Sequence, residues 1–146
     1  MISLSDSTVA CKHLGRFFKL CVEYNLEKID FTMKALNSDY KKGIEKYKPQ
    51  WYSQSEYYYF EEFLEENIIE KYIYEEKERI YNEEVMYWLG YCLQEWSNAK
   101  QLKGEDIARL YGEDGIRHLI KNYKVYHTVD PLYVLEDTLD IHGISI

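Results

Sequence analysis

Proline and glycine are scarce: the 146 residues hold two prolines and seven glycines. That scarcity argues against turn-rich all-β folds and low-complexity tails. Cysteine is sparse too, with only Cys11, Cys21 and Cys92, an odd number without a C-x-x-C pair. A disulfide framework does not fit that pattern, and reduced, buried thiols are expected. Long apolar runs are missing. The longest uncharged one, Val85 to Leu93, falls far short of the roughly 18 residues that a membrane span needs. The opening MISLSDSTVACKH has no basic stretch followed by an apolar one, so no secretory leader is read there and a cytoplasmic protein is expected.

Basic charge is also in short supply. Lys and Arg number 18 against 26 Asp and Glu, a formal net charge of −8. This works against phosphate backbones and anionic membrane surfaces, both of which recruit Lys and Arg. The imbalance is local. Glu56 to Glu84 holds 11 acids and three bases, Lys71, Lys77 and Arg79, while the rest of the chain holds 15 of each. Hydrophobic residues make up 46% of the chain, enough for a packed core, and tyrosine is abundant at 16 copies.

Helical spacing dominates. Leu14, Phe17, Phe18, Cys21 and Tyr24 recur at three and four, predicting a helix from Asp6 to Leu26 capped by Ser5 or Ser7. Shorter helices are predicted over Asp30–Asn37 and Ser38–Tyr47, the latter stopping before Pro49. Glu56–Tyr81 reads as one long acidic helix or two, with Phe60, Leu64, Ile68 and Tyr72 in step. Asn82 reads as the cap of the next helix, whose stripe is Val85, Trp88, Leu89, Cys92 and Trp96. Gly104–Tyr111, stopped at Gly112, and Asp114–Asn122 follow. Lys124–Val129 is β-branched and aromatic and reads as extended; Asp130 and Pro131 then start a last helix to Asp140. The fold class is all-α, with seven or eight helices in one domain over 1–146.

A shift of 72 residues pairs Leu14 with Met86, Phe17 with Leu89, Tyr24 with Trp96 and Gly43 with Gly115. Two pseudo-repeated halves, 1–73 and 74–146, would give this register, although helical chains resemble themselves at many offsets.

Motifs for chemistry are few. Ile107, Ala108, Tyr111 and Gly112 fit the first helix and turn of a helix-turn-helix, but Glu113 and Asp114 would then meet phosphates. Cys11 and His13 lie close in sequence but lack a second ligand pair, so no metal is expected. Cys21 and Cys92 lie on apolar stripes, where cysteine behaves as a small hydrophobe rather than a nucleophile. No glycine pattern suits a phosphate or a dinucleotide. No catalytic residue and no cofactor is assigned, and the chain reads as non-enzymatic.

The candidate partner-binding residues are Trp51, Tyr57, Tyr58, Glu61, Glu62, Glu65 and Glu66. Tyr57, Tyr58 and Tyr59 cannot share one helical face, so at least one is expected to be exposed. Tyrosine offers contact area with a polar tip, and the four glutamates suit a basic partner.

Tyr87–Ile141 resembles an uncharacterised family of short bacterial all-helical domains. The resemblance lies in Trp88-Leu-Gly-Tyr-Cys-Leu-Gln-Glu-Trp96, Gly104-Glu-Asp-Ile-Ala, Gly115-Ile-Arg-His-Leu-Ile-Lys-Asn-Tyr123 and Val125-Tyr-His-Thr128. Members of that family are often encoded beside toxin-like genes, including ADP-ribosyltransferase-like ones. The resemblance implies an antitoxin-like or partner-binding role and supplies no catalytic residues. The first half departs from it, with Ser55 and Glu56 where His127 and Thr128 would repeat. Thr128 is expected to bond backbone near Asp130, and His127 to reach a neighbouring helix.

The expected function is a protein-binding module that neutralises or regulates a basic protein partner. Direct contact with nucleic acid or membrane is not expected, and a homo-oligomer is compatible with this reading. The alternative is an acidic inhibitor that mimics nucleic acid, of the phage type, on a basic nucleic-acid-binding protein.

Overall fold

The computed structural model describes residues 4–45 and 55–142, and every helix among them is packed into an all-α fold. The helices are α1 (Leu4–Glu23), α2 (Lys28–Leu36), α3 (Asp39–Glu45), α4 (Glu56–Glu66), α5 (Glu76–Lys100), α6 (Gly104–Lys121), α7 (Tyr123–Tyr126) and α8 (Pro131–His142). None of these is long and apolar enough to cross a membrane.

The centre of the fold is the α1–α5 pair. Cys11 reaches Glu95, the Leu14 carbonyl lies against Gly90, Lys19 reaches Glu83 and Arg79 bonds the Val22 carbonyl. Partner numbers fall as α1 numbers rise, so the two helices run antiparallel. They begin 72 residues apart, at Leu4 and Glu76. Gly90 sets their distance: a Cβ there would lie 2.6 Å from the Leu14 oxygen. No side chain at position 90 fits without separating the helices.

Around this pair, Phe17, Phe31, Phe60 and Phe63 form one aromatic cluster, with Phe17 stacked on Tyr40 at 4.3 Å. α2 brings Phe31, α3 brings Tyr40 and α4 brings Phe60 and Phe63. On the other side Trp96 stacks on Tyr111 at 5.2 Å and donates to the Pro131 carbonyl, tying α5 to α6 and the start of α8. The Tyr111 hydroxyl meets buried Thr138 at 2.6 Å. Asp130 caps α8 by accepting from Leu132 N, with Pro131 in the first turn, as the sequence predicts.

Several local expectations are corrected. α1 already includes Ser5 and Ser7, so neither residue is its cap. Of the two forms expected for the acidic stretch, one helix or two, the structure has two helical pieces, α4 and the start of α5. α4 ends where the Asn67 amide turns back to the Phe63 carbonyl, and 67–75 runs non-helically. That segment straps the α1–α2 turn: Glu27 N donates to Glu70 O and Tyr72 N to Asn25 O, around a Leu26–Lys71 bridge. The Tyr74 hydroxyl donates to the Leu26 carbonyl at 2.6 Å. Ile69 and Tyr74 are thereby buried, whereas Ile68 and Tyr72, expected on a helical stripe, are exposed. The strap satisfies backbone groups of a turn in which Asn25 takes a left-handed conformation.

Asn82 is not a cap either. It lies buried inside α5, donating to the Glu78 carbonyl and accepting from Lys28 Nζ at 2.7 Å. The break expected at Gly112 is present: at φ 62° it leaves the helical region and divides α6 into two helical pieces, Gly104–Tyr111 and the turns that follow. The stretch expected to be extended, Lys124–Val129, is instead α7 and a turn. The predicted Ser38–Tyr47 helix is observed as α3, and its expected end before Pro49 lies outside the described residues.

Among the described residues one charged side chain, Lys41, is fully buried. Lys41 Nζ bonds Glu45 Oε1 at 2.7 Å and Ser97 Oγ at 2.9 Å. The same Glu45 oxygen accepts from Gly104 N at 2.6 Å, so one carboxylate joins α3 to the start of α6. Burial pulls the Lys41 ammonium below its usual range, and the Glu45 carboxylate opposes that.

Candidate functional site

α4 has the composition EYYYFEEFLEE, with no basic residue. Ser55 caps it, its hydroxyl accepting from Tyr58 N. The helical turn separates the three tyrosines. Tyr59 is buried and stacked on Tyr40, while Tyr57 and Tyr58 are about half exposed, at 48% and 49%. Glu61, Glu62, Glu65 and Glu66 are all exposed. The structure therefore brings six of the seven candidate residues onto the open side of one helix. The seventh, Trp51, lies outside the described residues.

This acidic face continues past α4. The Tyr57 hydroxyl donates to both oxygens of Glu23 on α1, at 3.1 Å each. That hydrogen bond raises the Tyr57 hydroxyl, with burial next and lesser contributions from Glu23 and Glu83. Burial raises the half-buried Tyr24 hydroxyl, helped by Glu61 and Glu23. The carboxylates of α4, the end of α1 and the start of α5 therefore act on common neighbours. At the head of α4, Glu56 Oε1 accepts from Arg16 Nε at 2.6 Å and lies 3.0 Å from His13 Nδ1. Burial alone would raise the Glu56 carboxyl. Hydrogen bonds from His13, its own backbone and Arg16 outweigh that and hold it down to about 2.

Sequence reasoning missed a second feature. A groove of about 440 Å³ opens beside Glu83, between α1, α5 and α7. Its α5 side, from floor to rim, is a helical stripe: Ile80, Glu83 and Glu84, Tyr87 and Trp88, then Tyr91. Trp88, read from sequence as core, is half-buried on this wall. Tyr123 meets Trp88 edge to face at 5.6 Å and meets exposed Tyr81 in the same way at 5.8 Å. His127 stacks on Tyr123 at 4.4 Å. Lys19 enters from α1, its Nζ 3.8 Å from Glu83. Glu84 is exposed and has no ion-pair partner among the described residues. The signal that could have found this groove is the three-and-four spacing from Ile80 to Tyr91, one step beside the core stripe.

His127 and Thr128 act locally, not as expected. His127 Nδ1 lies 2.8 Å from the Tyr123 carbonyl of its own turn, and that carbonyl can only accept, so Nδ1 carries the hydrogen. Thr128 donates to the Val125 carbonyl rather than to backbone near Asp130. Both bonds close α7 and hold the Tyr123 ring against the groove.

The three thiols sit in the core, and burial pushes each upward, with Glu95 adding to the rise at Cys11 and Cys92. Among the described residues no three His, Cys, Asp or Glu side chains converge as a metal site would require. No family model, curated protein or solved structure matches the chain.

Proposed function

We propose that this chain is a protein-binding module that neutralises or regulates a basic protein partner, in the manner of an antitoxin. The observation that carries this reading is α4: four exposed glutamates and two half-exposed tyrosines on one helix without a basic residue. Surface carboxylates of this density attract a basic partner over several ångströms and speed encounter. Tyr57 and Tyr58 add contact area at low entropic cost. The likeness of Tyr87–Ile141 to domains encoded beside toxin-like genes supports the same reading, and its setting would be the cytoplasm. The test is capture of a partner from the native cell extract by the wild type and by the variant with Glu61, Glu62, Glu65 and Glu66 changed to Lys. Salt-sensitive capture by the wild type alone supports the reading. Displacement of that partner by DNA or RNA would turn it toward the nucleic-acid-mimicking alternative.

A further inference from the structure

We propose that the groove between α1, α5 and α7 receives an arginine side chain of the basic partner; this rests on the reading of the chain as a binder of such a protein. Three features of the groove match a guanidinium. Its walls are the rings of Tyr87, Trp88, Tyr91 and Tyr123, and a planar, weakly hydrated cation stacks on such faces. Its rim carries Glu83 and Glu84, and the cation among its lining residues, Lys19, pairs with Glu83 at 3.8 Å. Glu84 is left to pair with an incoming charge. The third feature is His127, whose ring lines the groove and stacks on Tyr123 at 4.4 Å, extending the aromatic wall on which a planar cation can lie.

The groove is also continuous with the acidic face. Lys19 and Glu23 lie one turn apart on α1; Glu23 accepts from Tyr57 of α4 and Lys19 pairs with Glu83 at the groove, so a partner seated on α4 would pass the groove mouth. An aromatic pocket beside a charged surface has the usual anatomy of an anchoring site: one inserted side chain, with steering charge around it.

The experiment is an NMR titration of the full chain with a blocked Gly-Arg-Gly-Arg-Gly peptide. The same peptide carrying citrulline keeps the shape and loses the charge. The Trp88 indole and the Tyr123 amide should shift and saturate with arginine, and the affinity should fall about fivefold or more with citrulline. Glu84→Gln should weaken arginine binding by a similar factor, with its unperturbed spectrum reporting an intact fold. The variant with the four α4 glutamates reversed should still show the Trp88 and Tyr123 shifts. Equal binding of the citrulline peptide, shifts confined to α4, or no shift at Trp88 would each overturn the proposal. Groove shifts that depend on protein concentration without peptide would overturn it in favour of a second copy. None of these outcomes bears on whether α4 is needed for partner capture, so the two readings fail separately.

Discussion

A methyl group added at Gly15 would lie 3.0 Å from the ring of Tyr87, so that ring rests directly on the backbone of α1. Gly15 thereby sets the depth of the groove floor. Gly15→Ala gains about 1 kcal/mol of helix propensity and loses a similar amount to crowding. The Tyr87 ring is half-buried and can give way. Stability by urea unfolding should change by less than about 1 kcal/mol, while affinity for the arginine peptide falls. Gly90→Ala should behave differently, because its new Cβ meets the Leu14 backbone oxygen at 2.6 Å. Backbone cannot step aside, and a loss of about 3 kcal/mol or more is expected.

Lys41 gives a second contrast. Lys41→Ala leaves the Glu45 carboxylate facing the core without its cation, at an expected cost of about 3–5 kcal/mol. Lys41→Met together with Glu45→Gln removes both charges, keeps most of the volume and should cost much less. Urea midpoints of the two variants decide this, and equal losses would show that the charge pair is not the cause.

Glu56 should mark the acid limb of stability. A carboxyl held down to about 2 in the fold stabilises it fully above the unfolded value near 4.5. That contribution is lost as pH falls from there toward 2. Thermal melts of the wild type should therefore drop across this window more steeply than those of Glu56→Gln. Parallel curves would remove the His13–Glu56–Arg16 cluster from the account.

The three thiols should be silent in the folded protein. Cys11, Cys21 and Cys92 are buried, and their raised values leave almost no thiolate at neutral pH. A thiol reagent at pH 7.5 should label none within minutes and all three after denaturation. Rapid labelling of one in the native state would contradict their placement in the core.

What could be read from the sequence follows from which signals are local. Apolar spacing reports a buried helix face, so the helices around Phe17, Phe18, Leu89 and Trp96 were legible. Asp130 and Pro131 are a local signal too, and the start of α8 matched them. The break at Asn67 was not legible, because 67–75 is held by partners about 45 residues away, at Asn25, Leu26 and Glu27. The β-branched and aromatic Lys124–Val129 favours extended backbone, but tertiary packing overrides that preference: Tyr123 and Tyr126 are buried in α7. On α4 the acidic composition pointed to exposed glutamates, and the 100° turn required at least one exposed tyrosine, where the structure has two. The groove did not, since Trp88 lies at the edge of the core stripe and only its neighbours across α1 and α7 make it a wall.

The most direct measurement is partner capture by the wild type and by the Glu61→Lys, Glu62→Lys, Glu65→Lys, Glu66→Lys variant, at low and high salt. All four positions are exposed, so circular dichroism should show an unchanged fold. The account predicts a basic protein held by the wild type at low salt, released at high salt and absent from the variant. The same protein retained by the variant, or held equally at both salts, would contradict the acidic face of α4 as the site of binding.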